Sequence, residues 1–165
     1  GNYYNFNAAV AGNNTSNYTT DLYVMPNSIC PKGWRLPNGL TDNNGTTIIS
    51  DFNKLALANG ITNSVTTAHG TEDDRLVNVG LTTNGFNNFR TSSINSHGYQ
   101  SPMYFIRSGY LDATTVYNYG MLGYLWSSTI RSSIWSYTLG FYSGVLYPAA
   151  QLVRSYGFPV RCLAR

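Results

Sequence analysis

From Trp135 to Phe141 the chain alternates without a break: Trp135, Tyr137, Leu139 and Phe141 are large and apolar, and the residues between them, Ser136, Thr138 and Gly140, are small or polar. Successive side chains of an extended strand point to opposite faces, so a period of two dictates a β-strand with one large apolar face. Such a strand needs a layer over that face and hydrogen-bonded neighbours at its edges. Residues 125–129 supply one neighbour. Ser143-Gly144 makes a tight turn into a second, Val145-Leu146-Tyr147, which Pro148 is expected to stop because it has no N–H for a ladder. On this pattern Ser136, Thr138, Gly140 and Tyr142 form an outward face, and Val145 and Tyr147 join it if Leu146 faces the core. The apolar stretch Ala149-Ala150-Gln151-Leu152-Val153 either packs inward or offers an exposed patch.

Helix signals are rare. Ser50 can cap a helix in which Asp51 sits at the positive end, Phe52, Leu55 and Ala56 share a face, and Gly60 terminates. A weaker second helix is expected near 71–79, with Glu72, Asp73 and Asp74 in its first turn. Residues 62–70 and 81–99 read as long loops, and strand-like pieces lie at 3–10, 103–107, 125–129, 135–142, 145–147 and 158–163. No repeat at solenoid or propeller period is present. The expectation is a single α+β domain spanning all 165 residues.

Composition narrows the function. Charged residues are 10% of the chain and aromatic residues 15%, with 14 Tyr, and the net charge of +3 comes from scattered Arg and Lys. Without a basic run, no nucleic-acid footprint is indicated. No apolar run approaches the ~20 residues of a membrane span, so no membrane insertion is expected. A Tyr-, Ser- and Asn-rich, charge-poor surface is suited to adaptable binding, because Tyr supplies contact area at low entropic cost. Catalysis has little to work with: Glu72 is the sole glutamate, His69 and His97 are the sole histidines, and no nucleophile-base set can be assembled. No enzymatic activity and no cofactor are expected. His69, Glu72, Asp73 and Asp74 could hold a structural calcium ion, although an acidic first turn of a helix accounts for them more simply. Cys30 and Cys162 permit either a disulfide, in an oxidising compartment, or two buried thiols.

Several blocks occur in a recognisable order: Tyr4-Asn5-Phe6-Asn7-Ala8-Ala9, Cys30-Pro31-Lys32-Gly33-Trp34-Arg35-Leu36-Pro37, the Ser50-Asp51-Phe52 helix start, Gly123-Tyr124-Leu125-Trp126-Ser127-Ser128-Thr129, and Gly157-Phe158-Pro159-Val160-Arg161-Cys162. Over nearly the whole chain they resemble the Fibrobacter succinogenes major paralogous domain family. That family is similar to the C-type lectin fold, which is also the fold of variable proteins diversified by retroelements. The resemblance implies a mixed domain with its N- and C-termini close together, short helices, and a small antiparallel sheet that presents ligand-binding residues. It also implies that Cys30 lies near Cys162. Formylglycine-generating enzymes are distant relatives of the fold, but they need reactive cysteines. The sugar-binding tripeptides of calcium-dependent lectins (E-P-N, Q-P-D, W-N-D) are missing here.

Retroelement mutagenesis falls on template adenines and scatters Asn-type codons into a broad residue set. Ile130, Arg131, Ser132, Ser133, Ile134, Ser136, Thr138, Gly140, Tyr142, Val145, Tyr147, Ala149, Ala150, Leu152, Val153 and Ser155 fall in that set and cluster in one segment, about 124–156, with Tyr124 and Leu125 nearby. The resemblance therefore implies a receptor- or adhesin-type module, displayed outside a cell or on a virion, that binds a protein or glycan receptor through these residues. The alternatives are a fixed-sequence surface or structural domain of the same fold, and a calcium-dependent glycan lectin.

Overall fold

The computed structural model describes residues 2–12, 23–39, 50–58, 91–92, 105–142 and 145–165. In chain order its elements are α1 (Phe6–Ala9), β1 (Trp34–Arg35), α2 (Asp51–Ala58), β2 (Thr91–Ser92), β3 (Phe105–Ile106), β4 (Tyr110–Asp112), β5 (Thr115–Tyr117), β6 (Leu122–Ile130), β7 (Trp135–Tyr142), β8 (Val145–Val153) and β9 (Leu163–Ala164). The class is α+β, with small sheets that are antiparallel except for the two-residue pair β2–β3.

The largest sheet has the order β6-β7-β8, and β7 has the bounds that its alternation predicts. The other edge of β6 is covered in pieces: Met25 N donates to Ser128 O (2.8 Å), Ile130 N to Tyr23 O (2.8 Å), Ser128 N to Pro37 O (2.8 Å) and Gly109 N to Leu122 O (2.8 Å). The N-terminal segment meets the C-terminal one at the Tyr4–Phe158 bridge, and β1 pairs with β9. Beside them Cys30 and Cys162 form a disulfide with Cα atoms 5.8 Å apart, across a sequence separation of 132.

α2 begins as Ser50 dictates, its Oγ accepting from Asn53 N at 2.8 Å, and Phe52 is buried. Three expectations are corrected. Residues 3–10 are not a strand: Asn5 caps a single helical turn by accepting from Ala8 N at 2.9 Å. Pro148 does not stop β8. The pairs Gly140↔Tyr147 and Thr138↔Ala150 leave Pro148 and Ala149 facing Leu139 as a β-bulge, where a residue without an N–H fits. Residues 158–163 give only a bridge at Phe158 and the start of β9, because the chain there leaves its N-terminal partner Tyr4 before it reaches β1. The expected helix at 71–79 and the calcium candidates His69, Glu72, Asp73 and Asp74 lie outside the described residues.

Both faces of the sheet are covered. On one lie Tyr137, Leu139 and Phe141 with Leu125 of β6, all buried. The other carries the main core, in which Trp126 and Ile130 pack with Phe6, Ala9, Val10, Met25, Leu36 and Phe158. Phe6 meets the Trp126 ring edge-on at 5.4 Å, Phe158 sits 4.5 Å from it, and the indole N–H donates to Tyr4 O at 2.6 Å.

Candidate ligand-binding surface

Burial sorts the expected contact residues into three groups. Leu125, Ile130, Ser136, Thr138 and Gly140 are buried, so their place among the contact residues is corrected, and with it the outward assignment of Ser136, Thr138 and Gly140. The cause lies in the register. Ser136 stands opposite Ile130, Thr138 opposite Trp126 and Gly140 opposite Tyr124, so the small residues of β7 lie under large side chains of β6. Their polar groups are also used internally. Thr138 Oγ1 donates to Ala150 O at 3.2 Å, and Ser136 Oγ accepts from Arg154 Nε at 3.2 Å. Arg154 is itself buried, with its guanidinium 5.3 Å from the Phe6 ring centre, and burial lowers its pKa from the ordinary arginine value.

Tyr124, Arg131, Ser132, Tyr147, Ala149, Ala150, Leu152 and Val153 are half-buried, and Tyr124 and Leu152 pack against the main core. Ser133, Ile134 and Ser155 are exposed. The side chains of Tyr142 and Val145 lie outside the described residues.

The exposed residues converge on the β6–β7 turn. Arg131 N and Ser132 N both donate to Trp135 O (3.1 and 3.0 Å), and Ser132 Oγ accepts from Ile134 N (3.3 Å) and Trp135 N (3.2 Å). Arg154 N donates to Ile134 O at 2.9 Å and ties the turn to the chain leaving β8. On this pinned turn Ile134 is 57% exposed and Trp135 41%. Val153 lies directly opposite Trp135. Ile134, Trp135 and Val153, with Ser133 and Ser155 nearby, thus offer apolar contact area bordered by hydroxyl groups. Sequence reasoning assigned Trp135 to the core because it continues the alternation of Tyr137 and Leu139. Its place at the first residue of β7, beside a turn, is the signal that separates it from them.

Among the described residues that form this surface none is acidic or a histidine, and these residues offer apolar contact and hydrogen bonding. Among the described residues no cluster of three or more His, Cys, Asp or Glu could hold a metal ion. No helix among the described residues is long and apolar enough to cross a membrane. No family model, curated protein or solved structure matches this chain.

Proposed function

We propose that this chain is a ligand-binding module of receptor or adhesin type, with a C-type-lectin-like fold, whose diversifiable surface is the β6–β7 turn and the adjoining end of β8. The observation that carries the reading is the pair Ile134 and Trp135. Two large apolar side chains of consecutive residues stand exposed, 57% and 41%, at a turn held by backbone and Ser132 hydrogen bonds. Anchors of this kind, presented without a large ordering cost, dominate binding when a partner desolvates them. The partner is a protein or glycan receptor met outside the cell. The Cys30–Cys162 disulfide supports an oxidising setting.

The reading is tested by sequencing the coding segment for residues 123–165 across sibling genomes. Substitutions should concentrate at Arg131, Ser132, Ser133, Ile134, Val153 and Ser155 and spare Trp126, Ser136, Thr138 and Gly140, which are buried. Substitutions scattered evenly over buried and exposed positions would leave a fixed-sequence surface domain instead.

A further inference from the structure

A second exposed surface is the outer edge of the β4–β5 hairpin. The two strands pair Tyr110 with Tyr117, Leu111 with Val116 and Asp112 with Thr115, without a shift of register. The hairpin is firmly seated on its β4 side. Leu111 and Gly157 exchange both backbone hydrogen bonds (3.0 and 2.7 Å), Gly109 N donates to Leu122 O (2.8 Å), and the Tyr3 hydroxyl donates to Ser108 O. Gly109, at φ 69°, comes so close to the hairpin that a Cβ there would clash with Tyr117 O.

These bonds fix which groups of β5 look outward. Leu111 uses its N–H and C=O on Gly157, on the side away from β5, so Leu111 and Val116 are an opposed pair that shares no ladder bond. The N–H and C=O of Val116 therefore point away from β4, and among the described residues neither has a hydrogen-bond partner. All three residues of β5 are exposed, Val116 by 42% and Tyr117 by 46%. Tyr110 stacks on Tyr117 from the β4 side, with ring centres 5.4 Å apart and planes 24° apart, which steadies the exposed ring. Natural sheets guard an open edge with a charge, a proline or a bulge. β5 has none of these: residues 113–130 contain no charged residue and no proline, and the hairpin register is unbroken.

We infer that β5 is a self-association edge, which pairs antiparallel with β5 of a second copy of this chain so that Val116 stands opposite Val116. The edge is short. It ends at the Ala113–Thr114 turn on one side and at Asn118 on the other, where φ is 54° and the C=O already accepts from Met121 N and Leu122 N (3.0 and 3.1 Å). An added strand therefore gains two main-chain bonds, both at Val116. A two-fold arrangement meets that constraint, because Val116 of each copy donates to the other and accepts from it. The same register sets Tyr117 of each copy against Thr115 of the other in a non-hydrogen-bonded pair, where side chains lie closest and an aromatic ring beside a β-branched residue is favourable. No like charges meet along the edge. A peptide of unrelated sequence finds the same two hydrogen bonds but no matched side chains. With so few bonds and an area below that of a standard interface, the dimer is weak and reversible, with Kd on the order of 0.1 to 1 mM. It uses no residue of the β6–β7 turn, so this inference and the receptor reading can fail separately.

The test is sedimentation equilibrium of the whole chain from about 10 μM to about 1 mM, joined to amide hydrogen exchange at the two extremes. The average mass should rise from that of one chain toward that of two, and the Val116 amide should exchange more slowly at the higher concentration. Val116→Lys and Val116→Asp, which set like charges opposite each other, should each weaken association at least about tenfold. An equal mixture of the two variants should regain it, because a pairing of position 116 with itself brings the opposite charges together. Ile134→Ser, on the C-terminal surface, should associate as the unaltered chain does. A mass that stays that of one chain, a Val116 amide whose exchange does not change with concentration, or a dimer that Val116→Lys leaves intact or Ile134→Ser abolishes would overturn the inference.

Discussion

Asp51 ties the start of α2 to residues 35–38 through one carboxylate. Its two oxygens take a forked pair of hydrogen bonds from Arg35, one at 3.1 Å, and it also accepts from Asn38 N at 2.7 Å, all at the first turn of α2. Partial burial would raise its pKa, but the Arg35 hydrogen bond, the Asn38 N–H and the charges of Arg35 and Lys54 outweigh it and hold the carboxyl below its ordinary 3.8. A lowered carboxyl pKa stabilises the fold fully above the unfolded value and is lost as pH falls through the folded one. Urea unfolding should therefore show stability declining below about pH 4, and Asp51→Asn should flatten that decline while costing about 1 to 3 kcal/mol at neutral pH. Gly140 is constrained for a different reason. A Cβ there would lie 3.0 Å from the Tyr124 ring and 3.3 Å from the Ala150 Cβ, so a larger side chain has to displace one of them. Gly140→Val should destabilise by about 1 to 3 kcal/mol through overpacking, whereas Ile134→Ser should leave the urea midpoint unchanged.

At the scale of elements, the sequence is most readable where its signal is long and uninterrupted. β7 could be bounded to the residue because its alternation runs from Trp135 to Phe141 without a break, and the start of α2 because Ser50 supplies a cap just before its apolar positions, whereas the expected stop at Gly60 lies outside the described residues. α1 carries a cap signal at Asn5 but is a single turn, too short for a helical period to show. The β4–β5 hairpin was not anticipated, although Tyr110, Thr115, Val116 and Tyr117 are all strand formers flanking a short turn. Ser136, Thr138 and Gly140 are buried although they alternate with the large residues of β7. A period of two separates the faces of a strand but does not say which face is wet. Small polar residues on a strand suit a wet face, yet here they make room beneath Ile130, Trp126 and Tyr124. That register in turn moves the candidate contact surface from the middle of β7 to its first residue and the preceding turn. Within the hairpin, Gly109→Ala should break the close approach to Tyr117 O, and loss of the Leu111–Gly157 amide protection in hydrogen exchange would report it.

At the scale of the whole molecule, the described parts of the chain are held by contacts between its distant ends. The disulfide, the Tyr4–Phe158 bridge, the β1–β9 pair and the Met25–Ser128 hydrogen bond each join residues from the first third to residues from the last. A cross-link over 132 residues removes much of the freedom of the unfolded chain, worth up to about 5 kcal/mol by loop-closure entropy. Cys30→Ser should lower the unfolding free energy by a value approaching that figure, and a reductant should reproduce the loss in the unaltered chain. The same arrangement sets an order of events during synthesis. Phe6, Val10, Met25 and Leu36 leave the ribosome well before Trp126, Ile130 and Phe158, their partners in the main core. Until those later residues emerge, the early apolar side chains lack the Trp126, Ile130 and Phe158 surface they pack against, so this core cannot close until the C-terminal strands have been made.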